Sequence, residues 1–101
     1  MRLIYIAGSY RSDTEDGLFE NIYKARKAAK HLWADGWVAV CPHLNSAFMG
    51  GVVDEMTFLL GGLEILRRCD AVYVLKDSEN SKGTQAEVKL AEDLGMLVLY
   101  E

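Results

Sequence analysis

Proline occurs once in the 101 residues and cysteine twice, so nothing in the chain is stapled or proline-stiffened. The single proline, Pro42, excludes a proline-rich linker and leaves long stretches free to form helix and strand. Cys41 and Cys69 have no companions at metal-ligand spacing, and both sit in or beside apolar, strand-like runs. They read as buried free thiols in a reducing compartment, not as a disulfide framework or a zinc site. Basic residues are also scarce. Eleven Lys and Arg against fifteen Asp and Glu give a net charge of −4. That balance argues against a general nucleic-acid surface, while leaving room for a local cationic pocket for one anionic metabolite. No apolar run is long enough to span a bilayer and no charged-then-apolar leader is present, so a cytoplasmic, non-membrane protein is expected.

What remains is an ordinary globular composition, half apolar and about a quarter charged, in a length suited to one domain over residues 1–101. Leu3 to Ala7 is an unbroken apolar run, the pattern of a strand covered on both faces. Small and polar residues follow from Gly8 to Thr14. Apolar positions then fall at Leu18, Ile22, Ala25, Ala29, Leu32 and Trp33, a helical stripe with Lys24, Arg26, Lys27 and Lys30 on its wet side and Gly36 as a left-handed cap. Trp37 to Cys41 reads as a second strand stopped by Pro42, and His43 to Gly51 as a loop long enough to suggest a functional connection. A second helix is expected from about Val53 to Arg68, with Met56, Leu59, Leu60, Leu63 and Leu66 inward. Gly61 and Gly62 lie in its interior, where each costs about 1 kcal/mol relative to alanine, so close packing or a ligand is expected to require them. Asp70 introduces a third strand, Ala71 to Leu75. The last helix carries Ala86, Leu90, Ala91 and Leu94 on one face with Gly95 as its cap, and Met96 to Tyr100 forms the final strand. The order βαβαβαβ, with connections too long for hairpins, predicts an α/β fold: a small doubly wound parallel sheet, Rossmann-like or flavodoxin-like.

Ligands of such sheets bind beyond the carboxyl ends of the strands, where strand order reverses. Those ends carry Gly8-Ser9-Tyr10-Arg11, Pro42-His43 and the loop from Lys76 to Gly83. The first can offer backbone N–H groups, two hydroxyls and the Arg11 guanidinium to an anion, but it matches neither G-x-G-x-x-G nor the Walker pattern. Taken alone, such a loop is more often a simple turn. Glu87 has two readings. It is a carboxylate poised over a substrate, or the partner of Thr84 in a capping box, and spacing alone favours the capping box. Tyr5 is a bulky strand residue, His43 a loop histidine, His31 a solvated helix residue, Asp70 a turn or cap, and Trp33 and Trp37 core and edge packing. No catalytic triad or metal-ligand cluster emerges, and no metal or cofactor is implied.

Taken in order, Tyr5-Ile6-Ala7-Gly8-Ser9-Tyr10, Pro42-His43-Leu44, Cys69-Asp70-Ala71 and Ser81-x-Gly83-x-x-x-Glu87 resemble the nucleoside 2-deoxyribosyltransferase-like superfamily over nearly the whole chain. The resemblance implies that Glu87 is a nucleophile attacking C1′ of a (deoxy)ribosyl group, that Tyr5 orients it, and that water or a second base resolves a covalent glycosyl-enzyme. It also implies a helix N-terminus that helps keep Glu87 ionised. Ser81, with the Gly8-Ser9-Tyr10-Arg11 loop, resembles the 2′-deoxynucleoside 5′-phosphate N-hydrolase branch, in which these positions hold a 5′-phosphate. The implied site is therefore Glu87 and Tyr5 as catalytic residues, with Gly8, Ser9, Tyr10, Arg11, His43, Ser81 and Gly83 binding a small-molecule nucleotide. A homo-oligomer, dimer or larger, is implied, with Phe48, Met49 and Phe58 as candidate contacts. The chain departs from the resemblance at Gly62, where both branches usually place an aspartate that assists at the leaving base or sugar. The alternative is a non-catalytic module of the same fold that senses or sequesters a nucleotide.

Overall fold

The alternation of apolar residues along the first strand sets the layers. In the computed structural model, which describes residues 1–101, β1 (Leu3–Ala7) sends Ile4 and Ile6 to one face and Tyr5 and Ala7 to the other, all four essentially inaccessible to water. Helix α1 (Glu15–Ala34) covers the Ile4 and Ile6 face with Ala25, Ala28, Ala29 and Leu32. Leu66 of α3 (Glu55–Arg67) and Ala91 of α4 (Lys82–Asp93) cover the Tyr5 and Ala7 face. Strands β2 (Val38–Val40), β3 (Ala71–Val74) and β4 (Leu97–Tyr100) complete a four-stranded, all-parallel sheet in the order β2-β1-β3-β4. The doubly wound α/β fold expected from the sequence is present. Tyr5 pairs with Val40 on one side and Val72 on the other, so β1 is central and shielded at both edges.

Local sequence explains most boundaries. Thr14 caps α1 by accepting from the Gly17 N–H at 3.0 Å, so the helix starts at Glu15, ahead of the apolar stripe. Asp54 caps α3 through the Thr57 N–H at 2.8 Å. Gly36 and Gly95 follow α1 and α4 with φ of 95° and 69°, as expected of their positions. Asp70 accepts from the Leu3 N–H at 2.8 Å and returns its own N–H to the Leu3 carbonyl. It ties β1 to β3 at the end of the sheet away from the strand carboxyl ends, a structural role.

Several expectations are corrected. The stretch after Pro42 is not all loop, because Pro42 opens a one-turn helix, α2 (Pro42–Asn45), its fixed φ suiting the first helical position. Met56 and Leu60 do not face inward; they are 58% and 55% exposed. Helix α3 is apolar nearly all round, so periodicity could not select which stripe meets the sheet. Leu59, Leu63 and Leu66 face the protein and Leu66 alone is fully buried. Trp33 is half exposed, outside the core, while Trp37 packs beside it as expected. Cys69 is buried and Cys41 half-buried, both as free thiols.

Of the two helix-interior glycines, Gly61 has open space around it: a Cβ there meets nothing within 4 Å. Gly61→Ala should therefore stabilise the fold by about 1 kcal/mol, the helix-propensity difference. A thermal melt checks this, with an expected rise of roughly 4–8 °C for a domain of this size.

Candidate active site

The chain leaves β1 toward β2 on one side and returns across β1 to place β3 on the other. The loops after β1 and β3 therefore leave toward opposite faces of the sheet, at the switch point where ligands of open parallel sheets bind. Ser78, 3% exposed, bridges the two loops by accepting from the Ser9 N–H at 3.1 Å. The backbone pairing also runs on past the strands, with the Leu75 N–H donating to the Ala7 carbonyl at 2.9 Å. Gly8 makes this closeness possible. A Cβ there would lie 2.5 Å from Leu75 Cδ1.

On the face of β1 covered by α3 and α4, the Tyr5 hydroxyl donates a hydrogen bond to Glu87 Oε2, joining the central strand to α4. The capping-box reading of Glu87 is overturned. Ser81 is the N-cap of α4, accepting from the Thr84 N–H at 3.2 Å, which places Glu87 in the second turn with its carboxylate turned toward β1. Thr84 does not bond Glu87; its Oγ1 is buried without a partner. At that depth in the helix the N-terminal field has largely fallen off. Burial decides instead. It pushes the Glu87 carboxyl up from 4.5 to about 7, against the opposing pull of the Tyr5 hydrogen bond. The expected help from the helix N-terminus in keeping Glu87 ionised is outweighed. Tyr5 is held far above its ordinary value by burial first and by the Glu87 charge and hydrogen bond second, so it stays a phenol and a donor.

Tyr10 and His43 gather around Ser9. His43 is 5% exposed, and its Nε2 lies 3.1 Å from the Ser9 carbonyl. Since a carbonyl only accepts, Nε2 carries the proton and the buried Nδ1 is a bare acceptor with no partner. Burial pulls the His43 pKa down and keeps the ring neutral. Tyr10 meets the His43 ring edge-on, with centroids 5.8 Å apart. Asn21 on α1 donates to the carbonyls of Tyr10 and Arg11 at 3.1 and 3.3 Å, fixing the path of the loop. Arg11 is not free. Its Nε lies 2.8 Å from a carboxylate oxygen of Glu55 at the start of α3, both side chains about two-thirds exposed. Gly83 lies in the first turn of α4, with Leu59 of α3 nearby. Position 62 faces the central pair directly, since a Cβ on Gly62 would lie 2.9 Å from the Tyr5 hydroxyl oxygen.

Ser78 and Asn21 were not singled out by sequence reasoning. Ser78 is one polar residue in a polar linker, and only the approach of two loops gives it a partner. A groove of about 390 Å³ runs along α4 and the ends of β3 and β4, touching Leu75, Ser78 and Thr84, and another of about 460 Å³ lies against β2 and α2; neither includes Tyr5 or Glu87. No three His, Cys, Asp or Glu side chains converge where they could hold a metal ion.

A family model described as Domain of unknown function (DUF4406) matches residues 2–100. The chain belongs to that family. No curated protein matches it. The solved structure of 2-desoxiribosyltransferase from Leishmania mexicana is similar to the DUF4406 chain with a TM-score of 0.64 at 22% identity, covering 99% of this chain and 63% of that one. At such identity the likeness establishes the fold, which is the deoxyribosyltransferase-like α/β fold expected from the sequence. The DUF4406 chain spans less than two-thirds of the length of that protein.

A carboxyl that titrates at 4.5 when exposed and at about 7 when folded binds its proton more tightly in the native state. Its contribution to stability is complete below 4.5 and is lost as the pH rises through 7. His43, depressed by burial, has the opposite sign and loses stability as the pH falls. Glu87→Gln removes the Glu87 share alone. From pH 4.5 to 8, wild type should lose up to about 3 kcal/mol relative to the variant. Urea unfolding of both proteins across this range checks it, and parallel curves would show that Glu87 folds as an ordinary carboxylate.

Proposed function

We propose that this protein cleaves the N-glycosidic bond of a (deoxy)nucleoside 5′-monophosphate, with Glu87 as the nucleophile. The observation that carries the proposal is the part-buried Tyr5–Glu87 pair on the central strand, next to the point where strand order reverses. Tyr5 donates to Oε2 and holds the carboxylate by one oxygen, leaving Oε1 for attack. In the first step the carboxylate forms a bond to C1′ while the bond to the base nitrogen breaks, and the base departs with the bonding pair. In the second, water or another base attacks C1′ and releases Glu87. Two displacements return the original configuration at C1′.

The loop after β1 supports the phosphate assignment. In this reading Ser9 and Ser81 supply hydroxyl groups to the phosphate, Arg11 supplies the cation, and Gly8, Tyr10, His43 and Gly83 shape the surround. The Glu55 carboxylate competes for Arg11, so a phosphate must displace it. A second copy of the chain is the proposed partner, covering the exposed Phe48 and Met49, which are 76% and 46% accessible. Phe58, expected among these contacts, is half-buried and is a poorer candidate.

One observation favours a second reading, a non-catalytic nucleotide-binding module. Gly62 faces the Tyr5–Glu87 pair and brings no acid to protonate a departing base. A missing general acid typically costs two to four orders of magnitude in rate.

Incubation with a panel of deoxynucleoside and nucleoside 5′-monophosphates, following free base, separates the readings. Base release that Glu87→Ala abolishes is the expected result, and tight binding without release supports the module. Because only the ionised carboxylate attacks, kcat/KM should rise with pH through about 7. For the phosphate, Arg11→Ala should weaken monophosphate binding and Glu55→Gln strengthen it by calorimetry. Unchanged affinity in Arg11→Ala would remove Arg11 from the site.

A further inference from the structure

Gly61 and Gly62 are neighbours in α3, and a helix interior disfavours both equally, yet their surroundings differ. A Cβ on Gly61 meets nothing within 4 Å, whereas a Cβ on Gly62 falls 2.9 Å from the Tyr5 hydroxyl oxygen and meets no other atom within that distance. Contacts under 3.0 Å are essentially never made by a real Cβ, so something must shift. The clash is not with the free end of a flexible side chain. Tyr5 is 1% exposed on the central strand, its ring has few torsions, and its hydroxyl is seated on Glu87. A side chain at position 62 therefore obliges either the phenol or the backbone of α3 to shift.

We infer that Gly62 is a positioning residue: the bare backbone of α3 at this point leaves the space that the Tyr5 hydroxyl needs to reach Glu87. Gly62 touches no reacting atom in this account and acts on Glu87 through Tyr5. The contrast with Gly61 carries the inference, because a need for helix flexibility would treat the two alike. The consequence for activity rests on the proposed role of Glu87, but the geometry does not. Among titratable groups, Tyr5 acts on Glu87, and Cys69 at the end of α3 and Cys41 before α2 act on Tyr5.

The experiment follows the Glu87 carboxyl by carbon-13 NMR titration in wild type, Tyr5→Phe, Gly62→Ala, the Tyr5→Phe/Gly62→Ala double variant and Gly61→Ala, with thermal melts alongside. Loss of the phenol hydrogen bond should raise the Glu87 titration midpoint by about one pH unit in Tyr5→Phe. Gly62→Ala should raise it similarly, and should add nothing in the Tyr5→Phe background, where no hydroxyl remains to collide. The melting temperature lost in Gly62→Ala should return in the double variant, and Gly61→Ala should titrate as wild type. An unchanged midpoint in Gly62→Ala, or an equal shift in both backgrounds, overturns the inference. Should Gly62→Ala fail to fold, a folded double variant supports the inference and an unfolded one overturns it. Since the titration needs no substrate, its failure leaves the base-release assay to decide the function separately.

Discussion

Tyr5 can bond Glu87 only because three pieces of chain meet at one point with nothing between them. Strand β1 sits between β2 and β3 and holds the phenol on its buried face. Helix α4 begins at the Ser81 cap, so Glu87 falls one and a half turns later, directed back at that face. Helix α3 crosses closely enough that a single carbon at Gly62 would lie 2.9 Å from the hydroxyl oxygen. Each constraint alone is ordinary in a parallel α/β domain. Their coincidence takes a carboxyl out of water and gives it a single donor, and that moves its proton affinity toward neutrality.

This environment imposes opposing demands. Burial disfavours the ionised form that nucleophilic attack requires, and the phenol favours it. A carboxyl balanced near pH 7 is partly ionised at neutral pH and remains a stronger nucleophile than one held acidic by many donors. The same balance makes the site a local cost to stability above neutral pH, in keeping with the strain that functional sites impose on their folds. His43, buried, neutral and bonded to the Ser9 carbonyl, holds the loop after β1 by a different device.

Much of the architecture was legible because it depends on short-range patterns. Unbroken apolar runs gave the strands, the stripe of α1 gave its buried face, and the βαβ alternation required a parallel sheet. Helix α3 was legible as a helix but not in its orientation, since apolar residues surround it and only the sheet selects Leu66 over Met56 and Leu60. The one-turn helix after Pro42 was hidden in a loop-like composition. In the site, Tyr5 and Glu87 were marked by a resemblance in motif order, not by their spacing, which favoured a capping box that Ser81 makes unnecessary.

The sequence by itself determined the class of fold, the central strand, the presence of a turn of small and polar residues after it, and the two side chains that form the central pair. Only the tertiary structure decided that these two touch, that burial outweighs the helix field at Glu87, that Arg11 is already paired with Glu55, and that of two adjacent glycines only Gly62 has a steric reason. The division follows from range. Strand and helix signals repeat within a few residues, whereas the Tyr5–Glu87 contact joins positions 82 residues apart, and its proton affinity depends on how much water the packing of three elements leaves around it.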